Sequence, residues 1–241
     1  MKSAVRQSSP INRSKTPLID AWSTEVRIEA GGVNLEGELS LPRLAQGIVL
    51  FAHDQGGRQS LYHQMIARAF RTFGIGTLLV DLLTPEEERN DLYLSDLRYD
   101  VGLLAERLVD TSHWLEESES WIREQARPET LRQGYFSVSI GGGAALVAAA
   151  VLGESLGAVV LCGGRPDLAG AALAEVKSPS LLIVGGHDQT TLALNLEAYD
   201  ALNCEKQMNI VSGAPHLPGA SSALDEASQL AAGWFRRYLQ P

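Results

Sequence analysis

Gly134–Gly143 reads Gly-Tyr-Phe-Ser-Val-Ser-Ile-Gly-Gly-Gly and runs into an alanine-rich stretch. The pattern predicts a strand, a sharp turn with Ser139 at its tip, and a helix packed closely through glycines. A hydroxyl on such a turn stands clear of its own backbone and faces the positive end of the helix that follows, where developing negative charge is favoured. That setting suits a serine nucleophile. The plainer alternative is a small residue that eases helix against strand, and the partners described below decide for the nucleophile.

A second serine fits the pattern Gly-x-Ser-x-Gly letter for letter, within Gly153-Glu154-Ser155-Leu156-Gly157. Ser155, however, follows the helical run Ala144 to Leu152 and precedes the apolar run Ala158 to Cys162, so it belongs to a helix-to-strand turn. A nucleophile elbow needs the opposite order. Around Ser139 the first glycine of the pattern is replaced by Ser137, the next smallest practical residue, at some cost in strain.

A serine hydroxyl is a weak nucleophile until an imidazole accepts its proton, and the imidazole needs a carboxylate to fix its tautomer and stabilise its charged form. In open α/β sheets the binding crevice lies beyond the carboxyl ends of the strands, so the residues after each apolar run are the ones to compare. They include His53, Asp54 and Gln55, then Asp81, Ser139, Arg165 and Asp167, Asp188, and finally His216. Ser139, Asp188 and His216 fill the roles of nucleophile, orienting acid and base in chain order. The amide of Ile140, next after the nucleophile, and that of Gln55, in the turn His53-Asp54-Gln55-Gly56-Gly57, are the candidate donors to an oxyanion.

Rivals for these roles have plainer readings. Asp167 competes with Asp188 but is expected to cap a helix starting at Leu168. His187, beside Asp188, reads as a polar loop residue, and His53 as a structural support of the oxyanion turn. His63 and His113 fall in helical segments and are expected to face solvent or a helix contact. Asp81 and Arg98 are expected to form a buried structural pair near the crevice. Arg165 is either a contact for a substrate carboxylate or a solvated loop arginine.

The elements that must position these residues are visible as periodicities. Val26, Ile28 and Ala30, then Val33, Leu35, Leu39 and Leu41, flank Gly31-Gly32 as a half-buried antiparallel hairpin. Short apolar runs follow at Gly47 to His53, Thr77 to Asp81, Tyr135 to Val138, Ala158 to Cys162, Ser180 to Gly185 and Met208 to Ser212, as in strands buried on both faces. Between them lie helical periods: Tyr62, Met65, Ile66, Ala69, Phe70 and Phe73; Leu97, Val101, Leu104 and Leu108; and a final run from Leu224 to Leu239. Pro85-Glu86-Glu87-Glu88 reads as an acidic first helical turn. The prediction is an α/β fold: an antiparallel hairpin feeding a mostly parallel sheet of about eight strands with helices on both faces. The span between Ser139 and Asp188 leaves no room for a large cap domain.

The bulk properties agree with a single domain over 21–241, preceded by a mobile tail over residues 1–20. The 241 residues carry 29 acidic and 20 basic side chains, a formal charge of -9, with no block of Lys or Arg. Nucleic acid and anionic membranes are therefore not expected as main partners. No apolar run is long enough to span a bilayer, and Met1 to Ser14 lack the apolar core of a secretory signal, so a cytoplasmic location is the expectation. The two cysteines, Cys162 and Cys204, make neither a disulfide framework nor a metal site, and reduced thiols are expected.

The turn H-D-Q-G-G, the strand end L-L-V-D-L-L-T-P-E-E-E, the helix start L-R-Y-D, the elbow G-Y-F-S-V-S-I-G, and the loops G-G-R-P-D-L-A-G, L-L-I-V-G-G-H-D and S-G-A-P-H-L together resemble the α/β hydrolases of the dienelactone hydrolase-like group. The similarity runs from about Val26 to the C-terminus. It implies the α/β-hydrolase fold and a small-molecule ester as substrate. Dienelactone hydrolases proper carry His followed by an acid in the first turn, as His53-Asp54 does here, but their nucleophile is a cysteine where this chain has Ser139. A general carboxylesterase activity, independent of metal and cofactor, is the implied chemistry. The rival readings are a hydrolase fold that has lost catalysis and serves in binding, and acyl transfer to an acceptor other than water.

Two roles stand for Asp54: a negative charge facing the nucleophile, which disfavours anionic substrates, or a local hydrogen bond to the amides of its own turn. The first predicts that Asp54→Asn raises hydrolysis of carboxylate-bearing esters relative to neutral ones. Unchanged relative rates would leave only the second.

Overall fold

Gly31 and Gly32, with φ of 57° and 72°, turn the chain back between β1 (Ala21–Ala30) and β2 (Val33–Pro42). Two successive positive φ values match the twist of a tight hairpin, and glycine reaches them at little steric cost. In β1 the side chains of Val26, Ile28 and Ala30 are buried while Glu25, Arg27 and Glu29 are exposed, as a strand with one face on the core requires. The computed structural model describes residues 21–52, 57–94, 96–128, 130–211 and 221–240. The sequence readings for the first 20 residues, and those for His53, Asp54, Gln55 and His216, lie outside these residues.

After the hairpin come β3 (Gln46–Ala52), α1 (Leu61–Thr72), β4 (Gly76–Val80), α2 (Pro85–Leu94), α3 (Val101–Glu117), α4 (Glu119–Ala126), β5 (Thr130–Val138) and α5 (Gly141–Leu152). The chain continues through β6 (Ala158–Cys162), β7 (Ser180–Gly185), α6 (Gln189–Ala201), β8 (Lys206–Val211) and α7 (Ser221–Tyr238). Among the described residues the strands make one eight-stranded sheet in the order β1-β2-β4-β3-β5-β6-β7-β8. β2 is antiparallel to both β1 and β4, and every other pairing is parallel. The predicted architecture is the observed one. From Ser139 to Asp188 the chain forms only α5, two strands and 3-10 turns, so no cap domain interrupts the sheet.

The core lies on both faces. Leu104 and Leu108 of α3, Ala145 and Leu146 of α5 and Ala198 of α6 pack on one side, and Ile66 and Phe70 of α1 with Ala227, Ala231 and Phe235 of α7 pack on the other. Phe51, Phe136, Phe70 and Phe235 form a chain of rings with centroids 5.1, 5.3 and 5.5 Å apart, within the range of favourable aromatic pairs. β4, β6 and β7 are buried along their whole length, which is why they read as unbroken apolar runs. No helix among the described residues is long and apolar enough to cross a membrane.

Some expectations shift. β5 begins at Thr130, ahead of the apolar run from Tyr135, because its first residues pair beside Gln46 and Ile48 at the start of β3. β8 is half-exposed rather than doubly buried, with Ile210 52% exposed, because it pairs with β7 at the sheet's edge. In α1 the buried positions are His63, Ile66, Ala67 and Phe70, whereas Met65 is 55% exposed. His63 is thus a core residue, in contact with Phe51 and Tyr62. His113 is exposed on α3. The short helix α4 has no counterpart in the sequence reading.

The acidic turn Glu86–Glu88 does open a helix. Thr84 N donates to Glu87 Oε2 at 2.8 Å and Glu87 N donates to Thr84 Oγ1 at 3.2 Å, a reciprocal capping box. The same Glu87 accepts from Nη1 and Nη2 of Arg107 at 2.9 and 2.7 Å, and Arg107 Nη1 also donates to Leu82 O. Arg107 is 2% exposed, so this pair locks α3 under α2. Its hydrogen bonds hold the Glu87 carboxyl below the ordinary carboxylate range against the opposing effect of burial. A depressed carboxyl contributes stability above its unfolded pKa and loses it as pH falls through the folded one. Glu87→Gln is therefore expected to cost about 3 kcal/mol at neutral pH, measured by urea unfolding. The gap from the wild type should close as pH drops below about 4. A gap independent of pH would refute the assignment.

Candidate active site

Ser139 joins β5 to α5 with a φ of 51°. This is left-handed backbone, which costs a side-chain-bearing residue of order 1–3 kcal/mol and persists only where its surroundings impose it. Here they do. Ser139 O accepts from Gly142 N at 3.2 Å and from Arg165 N at 2.9 Å, and Gly143 N donates to Ile140 O at 3.0 Å. Ser139 is exposed while the strand behind it is buried, and it stands just ahead of the N-terminal, positive end of α5. Ile140, at the N-cap of that helix, belongs to the turn whose amides have no intrahelical acceptor.

Ser137 replaces the usual glycine without breaking the elbow. It lies within β5, aligned with Ala52 and Leu161, 1% exposed, and its Oγ has no hydrogen-bond partner among the described residues. Ser155 ends a 3-10 turn after α5 and donates to Leu152 O at 2.8 Å. The literal motif thus sits in a helix-to-strand connection, as its order in the chain predicts.

Asp188 follows β7 and caps α6, accepting from Thr191 N at 3.0 Å. β7 is two strands from β5, so at roughly 4.8 Å per strand the two carboxyl ends are about 10 Å apart along the same edge. His187 is exposed. Asp167 does not cap a helix: the 3-10 run Pro166–Glu175 has Arg165 at its N-cap, without a side-chain cap. Asp167 instead accepts from Nε and Nη2 of Arg165 at 2.8 and 2.7 Å. This bidentate bond holds the Asp167 carboxyl below the ordinary range and commits the arginine read as a contact for a substrate carboxylate.

The expected Asp81–Arg98 pair is not formed. Arg98 turns back on the same connection and binds Asp91, whose carboxylate also accepts from Leu97 N at 2.7 Å and Arg98 N at 3.3 Å. Asp81 belongs to Arg58, with Oδ1 accepting from Arg58 N at 2.7 Å and Oδ2 from Arg58 Nε at 2.9 Å. Arg58 also reaches Glu25 of β1 at 3.3 Å and Glu36 of β2. The residue just beyond the proposed oxyanion turn is therefore tied to β1, to β2 and to the residue that follows β4. His63 Nδ1 meets Gly57 O at 3.2 Å from below, and Ala52 on the other side of the turn is held in the sheet opposite Ser137. The described residues on either side of Asp54 and Gln55 are thus each held in place. Arg58 escaped the sequence reading, because an arginine after two glycines looks like any solvated loop cation.

A cleft of about 550 Å³ opens beyond β3 and β4, lined by Gly57, Gln59, Asp81, Leu83, Glu88 and Leu92 among others. Partial burial, and then repulsion from Asp81, raise the Glu88 carboxyl. The thiol nearest the elbow, Cys162, is level with Val138, but burial pushes it up to about 12. It lies beside the Tyr62 hydroxyl at 3.7 Å, and burial disfavours the thiolate that a cysteine nucleophile needs. Among the described residues no group of three or more His, Cys, Asp or Glu side chains could hold a metal ion.

A mostly parallel sheet, antiparallel at its start, with a left-handed serine between strand and helix and an acid two strands away, is the architecture of an α/β hydrolase. No family model matches the chain. The crystal structure of a dienelactone hydrolase from Anabaena variabilis ATCC 29413 is 45% identical and superposes with a TM-score of 0.84 over 91% of this chain and 99% of that one. A carboxyl esterase 2 from Tuber melanosporum shares the fold at 14% identity, with a TM-score of 0.71 over 93% and 90% of the two chains. Two Mycobacterium tuberculosis proteins, from strains CDC 1551 / Oshkosh and ATCC 25618 / H37Rv, are each 44% identical over 216 residues and carry the provisional name phosphoribosyl transferase. This chain spans 46% of their length, and they cover 89% of it. The chain belongs to the dienelactone hydrolase family.

If Arg58 and Asp81 anchor the turn, Asp81→Asn should lower the unfolding free energy by about 1–3 kcal/mol and reduce turnover. Glu25→Gln, at a carboxylate 85% exposed, should change stability by less than about 1 kcal/mol. Equal effects of the two exchanges in urea unfolding would refute the anchor.

Proposed function

We propose that the protein is a serine hydrolase acting on small to medium carboxylic esters through an acyl-enzyme, with no metal or cofactor. The observation that carries this reading is the left-handed backbone of Ser139, exposed between β5 and α5. Strain at a site otherwise built of regular elements points to function. Ser139 Oγ attacks the ester carbonyl while His216 takes its proton. The Ile140 and Gln55 amides stabilise the oxyanion, and the alcohol leaves with the proton returned by His216. Water, deprotonated by the same histidine, then releases the acid. Asp188 orients the imidazole, and the commitment of Asp167 to Arg165 supports choosing Asp188 as the acid. The burial of the Cys162 thiol, which disfavours its thiolate, supports serine as the nucleophile. The cleft beside Gly57 and Asp81 is wide enough for a small acyl or alcohol group. The name phosphoribosyl transferase belongs to proteins about twice as long and supplies no role for these residues.

Steady-state hydrolysis of short- and medium-chain p-nitrophenyl esters tests the reading. Ser139→Ala should lower kcat by at least ~10³-fold, and Ser155→Ala should leave it unchanged. A folded wild type that turns over no ester and does not label with a fluorophosphonate would favour a catalytically silent binding protein. Labelling without hydrolysis would favour acyl transfer to another acceptor.

A further inference from the structure

Asn195 is fully buried on α6, a helix otherwise largely exposed. Its Nδ2 donates to two carbonyls, Thr191 O at 2.8 Å and Gly164 O at 3.1 Å, so the orientation of its amide is fixed by its partners. Its Oδ1 is buried with no hydrogen-bond partner among the described residues. A buried amide with half its capacity unmet detracts from stability, and such a group calls for an explanation other than packing.

The explanation lies in what Asn195 connects. At one end, Thr191, whose carbonyl accepts from Asn195, donates its own amide to Asp188 Oδ1. At the other, the Gly164 carbonyl belongs to the loop after β6. Gly163 N of that loop donates to Ile183 O of β7 at 2.7 Å, and Arg165 N donates to Ser139 O at 2.9 Å. The loop lies tightly against the elbow helix: a Cβ on Gly142 would stand 3.1 Å from Arg165 N and 3.4 Å from Gly164 Cα. A continuous run of hydrogen bonds thus leads from the Asp188 carboxylate through Thr191, Asn195 and the Gly164–Arg165 peptide to the backbone of Ser139.

We propose that Asn195 is a positioning residue that sets the register of the acid-bearing helix α6 against the serine-bearing elbow. The inference rests on the reading of Ser139 and Asp188 as nucleophile and acid. The elbow end is fixed independently, because Ser139 O also accepts from Gly142 N. The α6 end is the compliant one, since only Asn195 and Ala198 of that helix are buried. Loss of Asn195 therefore displaces the acid rather than the serine, and misplacement of a catalytic group on the ångström scale lowers the rate steeply.

The test is a double-mutant cycle on p-nitrophenyl acetate hydrolysis, comparing wild type, Asn195→Ala, Asp188→Asn and the double variant. Ser139→Ala serves as control, and urea unfolding checks each protein. Asn195→Ala should lower kcat on the order of 10-fold with KM within about 2-fold of the wild type. In the Asp188→Asn background the same exchange should have little further effect, because an absent carboxylate cannot be displaced. A purely structural role would lower kcat by the same factor in both backgrounds, and that outcome overturns the proposal, as does a loss confined to KM or no loss at all. Should Asn195→Ala fail to fold, Asn195→Ser, too short to reach Gly164, takes its place in the cycle. A wild type without turnover, or an unimpaired Ser139→Ala, sinks the hydrolase reading and this inference with it. An active wild type with additive effects sinks this inference alone.

Discussion

The left-handed backbone at Ser139 is the constraint around which the rest of the structure is arranged. A serine does not adopt φ of 51° by preference, and the neighbouring residues supply what it lacks. Gly142 and Gly143 let the following helix approach the β6 loop closely enough for Arg165 N to reach Ser139 O. A Cβ at Gly143 would lie 2.7 Å from Leu168 Cβ, so the glycines serve contact as well as conformation. The strand behind the serine is buried on both faces, and the strained turn is braced against a rigid platform rather than a loop.

The parallel sheet brings distant residues to one edge. Each strand from β3 to β8 delivers its carboxyl end to the same edge, so Asp81, Ser139, Arg165 and Asp188 share that edge although they span over a hundred residues of chain. The antiparallel hairpin contributes differently. Glu25 and Glu36 meet Arg58 and, with Asp81, secure the chain just after β3. Several charges converging on one partly buried guanidinium give a more definite geometry than an isolated surface pair. The Arg107–Glu87 pair does the same for α3 and α2, of which α2 lines the cleft.

The aromatic chain from Phe51 to Phe235 and the alanine-rich packing of α5 lie within the layers and carry the hydrophobic contribution. Ser139 with its left-handed backbone and Ser137 with its unpartnered buried Oγ lie at the elbow, while Leu44 and Arg127 also take a positive φ and Arg107 Nε, Gln133 Oε1 and Asn195 Oδ1 are also buried without a partner among the described residues.

The sequence by itself determined the fold class, the hairpin, the succession of strands, and the place of Ser139 in a strand-turn-helix elbow and of Ser155 in a helix-to-strand turn. Each of these follows from local pattern: alternation, unbroken apolar runs, glycines beside a serine, and the order strand, turn, helix. It placed β6 and β7 to the residue, because doubly buried strands leave the plainest signature. It misjudged β8, whose exposure depends on lying at the sheet's edge, and the partners of Asp81, Arg98 and Arg165, which depend on which guanidinium reaches which carboxylate in three dimensions. Arg58 and Asn195 were invisible for the same reason. A long cationic side chain and a helical asparagine have no characteristic spacing, and only tertiary contact distinguishes an anchor from a solvated residue.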